Sequence, residues 1–178
     1  MKRRVCLGLG LCALLAGACA DAVLDTRLAG AQPAAARLIT PAQLTENLAS
    51  HKGRVVVVHL WATWCGPCLK ELPMVAKLAR EAGSRGLDFL PVSLDDPTEA
   101  SAVFVARVLA AKTGNPHWSP ILKTDHIESL VGDLDPRWEG EIPAFFAFDR
   151  EGHLRRTVIG NISRADFERL VGDLLAPE

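Results

Sequence analysis

Several things are scarce in this chain, and each scarcity narrows what it can be. Aromatic residues make up only 6% of its 178 residues while hydrophobic residues reach 49%, so the core has to be built from Val, Leu and Ala, as in an α/β domain. Lys and Arg number 20 against 21 Asp and Glu, which leaves no basic excess and argues against nucleic-acid binding. There is no internal repeat and no low-complexity tract. There is no second CxxC and no pair of histidines at ligand spacing, so a four-ligand zinc site lacks its ligands. No Thr-x-x-Cys arrangement is present, which removes the usual device for activating a peroxide.

Long apolar runs are also few. The opening MKRRVCLGLGLCALLAGACA has three basic residues, an apolar stretch from Val5 to Ala16 and then small residues, a secretory signal too short to be read first as a membrane span. Two cuts are compatible with it. One follows Ala20, and one precedes Cys19, where LAGAC resembles a lipoprotein box and Cys19 would carry lipid. Either cut leaves Cys65 and Cys68 as the thiols of the mature chain, and in an oxidising compartment the two would be expected to pair with each other. Losing Lys2, Arg3 and Arg4 leaves 17 basic against 21 acidic residues, a mildly acidic domain. The expected organisation is a signal over 1–20 (1–18 for a lipoprotein), an Ala-rich linker over 21–37 and one domain over 38–178.

Within the domain, Thr40 and Gln43 form a capping box around Pro41, which predicts a short helix with Leu44 and Leu48 on one face. VVVVHLW is an unbroken β-branched run suited to a strand buried on both faces. The pattern from Leu69 to Arg80 is helical, with Pro73 expected to kink it. LDFLPVSL predicts a second strand, with Pro91 placed at an edge or bulge because it lacks an N–H. Asp96, Pro97 and Glu99 start a helix that runs to Gly114. A short strand near Ile121, a helix near Ile127 to Val131, a hairpin of AFFAF and HLRRTVI, and a final helix begun by Ser163 and Asp166 complete the reading. Together these describe a three-layer α/β domain.

The chemistry concentrates in WATWCGPCLKELP, Trp61 to Pro73. WCGPC between a buried strand and a helix, Pro73 five residues after Cys68, and Ile142-Pro143 ahead of a hairpin resemble the thioredoxin fold. With the export signal and the long segment between Leu94 and Pro143, the chain resembles the TlpA/ResA-like periplasmic thiol-disulfide oxidoreductases over Val55 to Leu175. The resemblance implies a central mixed β-sheet flanked by helices, with an inserted segment before a cis-proline at Pro143. It also implies that Glu71 is the acidic residue near the buried thiol. His59 departs from the pattern, standing where thioredoxins carry a buried Asp and this periplasmic group often an Asn.

A helix starting at the motif sets Cys65 where free N–H groups and the helix dipole favour a thiolate, which makes it the nucleophile. Cys68, one turn inward and shielded, is the resolving thiol. Gly66 allows close approach and Pro67 pre-sets a helical φ; by resemblance, Gly-Pro belongs to reducing members. A cis bond before Pro143 would present the Ile142 backbone as an edge on which an extended substrate pairs, with Trp64 in the docking face and Trp61 filling the core. Glu71 and His59 compete as proton relay to Cys68, and Glu71 is preferred because burial disfavours a charged carboxylate and suits it to exchanging a proton.

The expected function is a periplasmic reductase of disulfides in exported proteins, of the cytochrome c or copper-site maturation type. It needs no cofactor, takes electrons from a membrane-embedded donor, and is either soluble or lipid-anchored. The alternative is a copper metallochaperone using the CxxC pair, since two thiolates can hold Cu(I). A binding module stapled by the disulfide is weaker still, because so short a loop gains little from closure.

Overall fold

All seven residues of the VVVVHLW run are buried, as a strand in the middle of a covered sheet requires. The computed structural model describes residues 36–114, 120–123 and 134–176. In chain order these form β1 (Leu38–Ile39), α1 (Pro41–Ser50), β2 (Val55–Trp61), α2 (Gly66–Ala82), β3 (Leu87–Ser93), α3 (Glu99–Thr113), β4 (Ile121–Leu122), β5 (Ala144–Phe148), β6 (Leu154–Ile159) and α4 (Arg164–Val171). The strand order is β1-β4-β3-β2-β5-β6, parallel from β1 to β2 and antiparallel from β2 to β6, so the sheet is mixed as expected.

Strand alternation sorts the core onto two sides of the sheet. Val56, Val58 and Leu60 pack with Leu44 of α1 and with Trp138, whereas Val55 and Val57 pack with Val75 and Leu78 of α2 and Phe167 and Leu170 of α4. His59 and Trp61 share the parity of Val55 and Val57 and so fall on the α2 side. The capping box of α1 is complete: Gln43 N–H donates to Thr40 Oγ1 at 3.2 Å and Thr40 N–H to Gln43 Oε1 at 2.9 Å. Ser163 and Asp166 cap α4 in the same way.

Some expectations need correction. Pro91 is at neither an edge nor a bulge: β3 lies between β2 and β4, and its register with β2 runs unbroken through His59 opposite Pro91. The reason is that, among the described residues, β4 is two residues long and meets β3 only at Ser93, whose N–H donates to Pro120 O. Pro91 lies two residues earlier on the same side of the strand, before the start of β4, so its missing N–H interrupts no ladder among the described residues. Helix α3 is capped by Thr98, whose Oγ1 accepts from Ser101 N–H, rather than by Asp96, and it ends as expected at Gly114 with φ 70°. α2 begins at Gly66 and continues past Pro73 to Ala82. β1 had no periodic signal, being two residues long.

The signal with Cys6, Cys12 and Cys19, the linker as far as residue 35, Trp118 and the helix expected near Ile127 lie outside the described residues. Among the described residues, no helix is long and apolar enough to cross a membrane. Of the inserted segment, Leu134 and Trp138 pack into the core. Trp138 meets Phe146 edge to face at 5.7 Å and donates its indole N–H to Glu141 O at 2.7 Å. Asp135 binds Arg137 through both carboxylate oxygens and accepts from Thr157 Oγ1 of β6 at 2.7 Å, which ties the approach to Pro143 onto the hairpin.

The Arg137 guanidinium, then the Thr157 hydroxyl, hold the Asp135 carboxyl well below the usual carboxylate range. An acid kept ionised by folding stabilises the native state above its unfolded value near 4 and loses that contribution as pH falls through the folded value. Asp135→Asn is therefore expected to lower stability at neutral pH and to shrink the difference between denaturation midpoints measured at about pH 7 and about pH 3. An unchanged difference would exclude this role for Asp135.

Candidate active site

Cys65 is the N-cap of α2, with extended backbone (φ −83°, ψ 94°), and it is joined to Cys68 by a disulfide across a Cα–Cα distance of 5.3 Å. The Cys68 N–H points at Cys65 Sγ from 3.2 Å, one of the free donors that a helix N-terminus offers. Behind it, the Cys65 N–H is bound to Ala62 O and the Cys65 carbonyl to Leu69 N–H. Cys65 is 5% exposed and Cys68 wholly buried, so attack from outside meets Cys65. In the oxidised form Cys65 is thus the more accessible of the two cysteines.

Around the pair, Trp61 is buried against Cys68 and Leu72, which fits its reading as core filling. Trp64 is 68% exposed, an aromatic ring on open surface beside Cys65. A Cβ at Gly66 would meet nothing within 4 Å, so Gly66 leaves open surface above the motif and accommodates no close approach within the chain itself. Pro67 occupies the first turn, where its missing N–H costs nothing. The Ile142-Pro143 bond is cis, and Ile142, partly buried, packs against the cluster that contains Cys65, Cys68 and Trp61. Pro143 O accepts from Gly160 N–H at 2.8 Å, securing this segment to β6.

His59 and Glu71, rivals in the sequence, are brought to one place. His59 Nε2 lies 3.4 Å from Glu71 Oε1, close but without hydrogen-bond alignment. Glu71 Oε2 accepts the Ile162 N–H at 2.9 Å, a backbone group from the loop between β6 and α4. The imidazole stacks on Phe145 at 4.3 Å with its plane 2° away, and faces Phe89 at 6.0 Å. Burial pushes the His59 pKa down, partly offset by Glu71, so the ring is neutral at neutral pH. One Glu71 oxygen and both ring nitrogens carry no hydrogen bond, which leaves Glu71 Oε1 a free acceptor one helical turn from Cys68.

One group has no counterpart in the sequence reading. Asp95, after the end of β3, is 8% exposed and accepts from the Thr63 N–H (2.9 Å), the Thr63 hydroxyl (2.5 Å) and the Ser93 hydroxyl (2.6 Å). The spacing Ser-x-Asp is too common in turns to have pointed there. A second cluster of metal-ligating types, Asp149, Glu151 and His153, sits at the β5–β6 turn, where Asp149 is already engaged by Arg155 and by the N–H groups of Glu151 and His153.

Residues 31–174 match the family model for Redoxin. A thiol-disulfide oxidoreductase ResA from Geobacillus kaustophilus is 25% identical over 123 residues, 69% of this chain and 64% of the relative, so the chain spans less than two thirds of that protein's length. ResA from Bacillus subtilis is 24% identical over 171 residues, covering 92% of this chain and 89% of that one. The crystal structure of a thioredoxin-family thiol:disulfide interchange protein from Chlorobium tepidum is 26% identical, superimposes with a TM-score of 0.56, and covers 72% of this chain and 84% of that one. The fold is the thioredoxin fold, and with its family match running from before β1 through α4 the chain belongs to the Redoxin family.

Proposed function

We propose that this chain is a thiol-disulfide oxidoreductase that works outside the cytoplasm and reduces disulfides in exported proteins, those of cytochrome c or copper-site maturation foremost. The observation that carries the reading is the placement of Cys65: a sulfur at a helix N-terminus, facing an N–H at 3.2 Å, on the exposed side of a pair whose other member is sealed. The opening MKRR and apolar run support export, with residues 1–20 as signal, 21–37 as tether and Cys19 as the lipid-bearing residue if the earlier cut is used.

In the reduced form the Cys65 thiolate attacks one sulfur of a client disulfide. A Cys65–client bond forms, the client S–S bond breaks, and one client thiolate leaves. Cys68 then gives its proton to Glu71 and attacks Cys65 Sγ, which releases the second client thiolate and closes the disulfide seen here. Two electrons pass from the dithiol to the client, and a membrane-embedded dithiol donor restores them. The client docks as an extended segment against Trp64, Gly66, Pro67 and Ile142, beside Pro143. Glu71 takes the proton because Oε1 is a buried acceptor without a donor, whereas His59 serves as the neutral wall behind it.

Cys65→Ala is expected to abolish insulin reduction, whereas Cys68→Ala should retain the first attack and accumulate a covalent Cys65–client adduct on non-reducing gels. Identifying the adducts formed in the cell tests the direction of flow, and recovery of oxidant-pathway partners alone would overturn the reductase assignment. Glu71→Gln should slow the resolving step about a hundredfold, the scale of one lost acid-base group, while Cys65 remains reactive. In the same stopped-flow assay His59→Asn should keep most of the rate. A loss as large as that of Glu71→Gln would transfer the proton to the imidazole.

A further inference from the structure

The β2–α2 junction is a short loop, and what holds it is not in the CGPC motif. Thr63 stands two residues before Cys65, and both of its polar groups end on a single carboxylate: the backbone N–H on Asp95 Oδ2 and the hydroxyl on Asp95 Oδ1. That carboxylate also accepts the Ser93 hydroxyl on Oδ2, while the Asp95 N–H donates to Ser93 Oγ at 3.0 Å, so Asp95 is itself held at both ends. Ser93 is wholly buried and is paired through its own N–H to Pro120 O, which roots the assembly in the sheet. A second tie, Leu94 N–H to Trp61 O at 2.8 Å, crosses the same gap one step earlier. Charge-assisted hydrogen bonds to a partly buried carboxylate are roughly twice as strong as neutral ones, and the two made by Thr63 restrain both its backbone and its side chain.

We propose that Asp95 is a positioning residue of the redox site, which clamps Thr63 so that Cys65 Sγ stays over the first free N–H groups of α2. This rests on Cys65 being the attacking thiol. The clamp acts through geometry. A carboxylate acting by charge alone would disfavour a nearby thiolate, whereas a carboxylate acting through Thr63 favours it by keeping the sulfur aligned with its donors. The two mechanisms therefore predict opposite signs when the group is removed.

The test uses the fully reduced protein, with the rate of iodoacetamide alkylation of Cys65 followed by mass spectrometry at neutral pH, and with the dithiol–disulfide equilibrium measured against glutathione. Thr63→Val keeps the carboxylate and loses one arm of the clamp; alkylation should slow about fivefold and the equilibrium shift several-fold toward the disulfide, as expected when a thiolate loses alignment with its donors. Asp95→Ala should move both readouts the same way, and Thr63→Ser, which keeps the hydroxyl, should leave them near the wild-type values. Faster alkylation in Asp95→Ala with Thr63→Val unchanged would mean that the carboxylate acts by charge, and the proposal would fail. A lowered unfolding midpoint with both readouts unchanged would make the network merely structural and would equally overturn it. If labelling of the wild-type protein falls first on Cys68, the underlying assignment of the nucleophile fails instead, and the two failures are told apart in one spectrum.

Discussion

The molecule is organised around the passage from a strand paired on both sides and buried throughout to a helix whose first turn carries sulfur. β2 is hydrogen-bonded on both sides, to β3 and to β5, and covered on both faces, so its C-terminal end is among the most constrained points of the fold. Cys65 follows four residues later as the N-cap of α2. The alignment between sulfur and N–H donors on which thiolate chemistry depends is inherited from that rigidity, and a disordered CGPC segment would have none of it.

The same rigidity makes the polar groups on the α2 side of the sheet informative. β2 is otherwise apolar apart from His59, and α2 turns Glu71 into the same space. A buried polar atom left without a partner costs about 1–3 kcal/mol, and this pair leaves three: both ring nitrogens and Glu71 Oε1. Phe145 stacks on the imidazole at 4.3 Å and Phe89 faces it at 6.0 Å, so the ring is packed between aromatic side chains. Such a site is poor as stabilising structure.

The second wall of the site comes from the opposite end of the chain. Asp135, bound to Arg137 and Thr157, and Trp138, bound to Glu141 O, lead the chain into Ile142-Pro143 and on into β5. The Chlorobium tepidum structure, 26% identical, shares the fold with a TM-score of 0.56.

Much of this was legible in one dimension. Thr40 with Gln43, the β-branched run before the cysteines, Gly114 and Ser163 with Asp166 are local signals, and each worked because hydrogen bonds within a few residues decide helix ends and because burial on both faces selects an unbroken apolar strand. The order of Cys65 and Cys68 along a helix likewise determined which would be exposed. What the chain order could not decide were relations between distant segments. The bonding of Glu71 to the Ile162 N–H, the tolerance of Pro91 inside the sheet beside a two-residue β4, and the closure of Asp95 on Thr63 arise from contacts between residues tens of positions apart. Their geometry exists only once the sheet has assembled, because it is the register between strands, and no property of either segment alone, that brings those atoms within bonding distance.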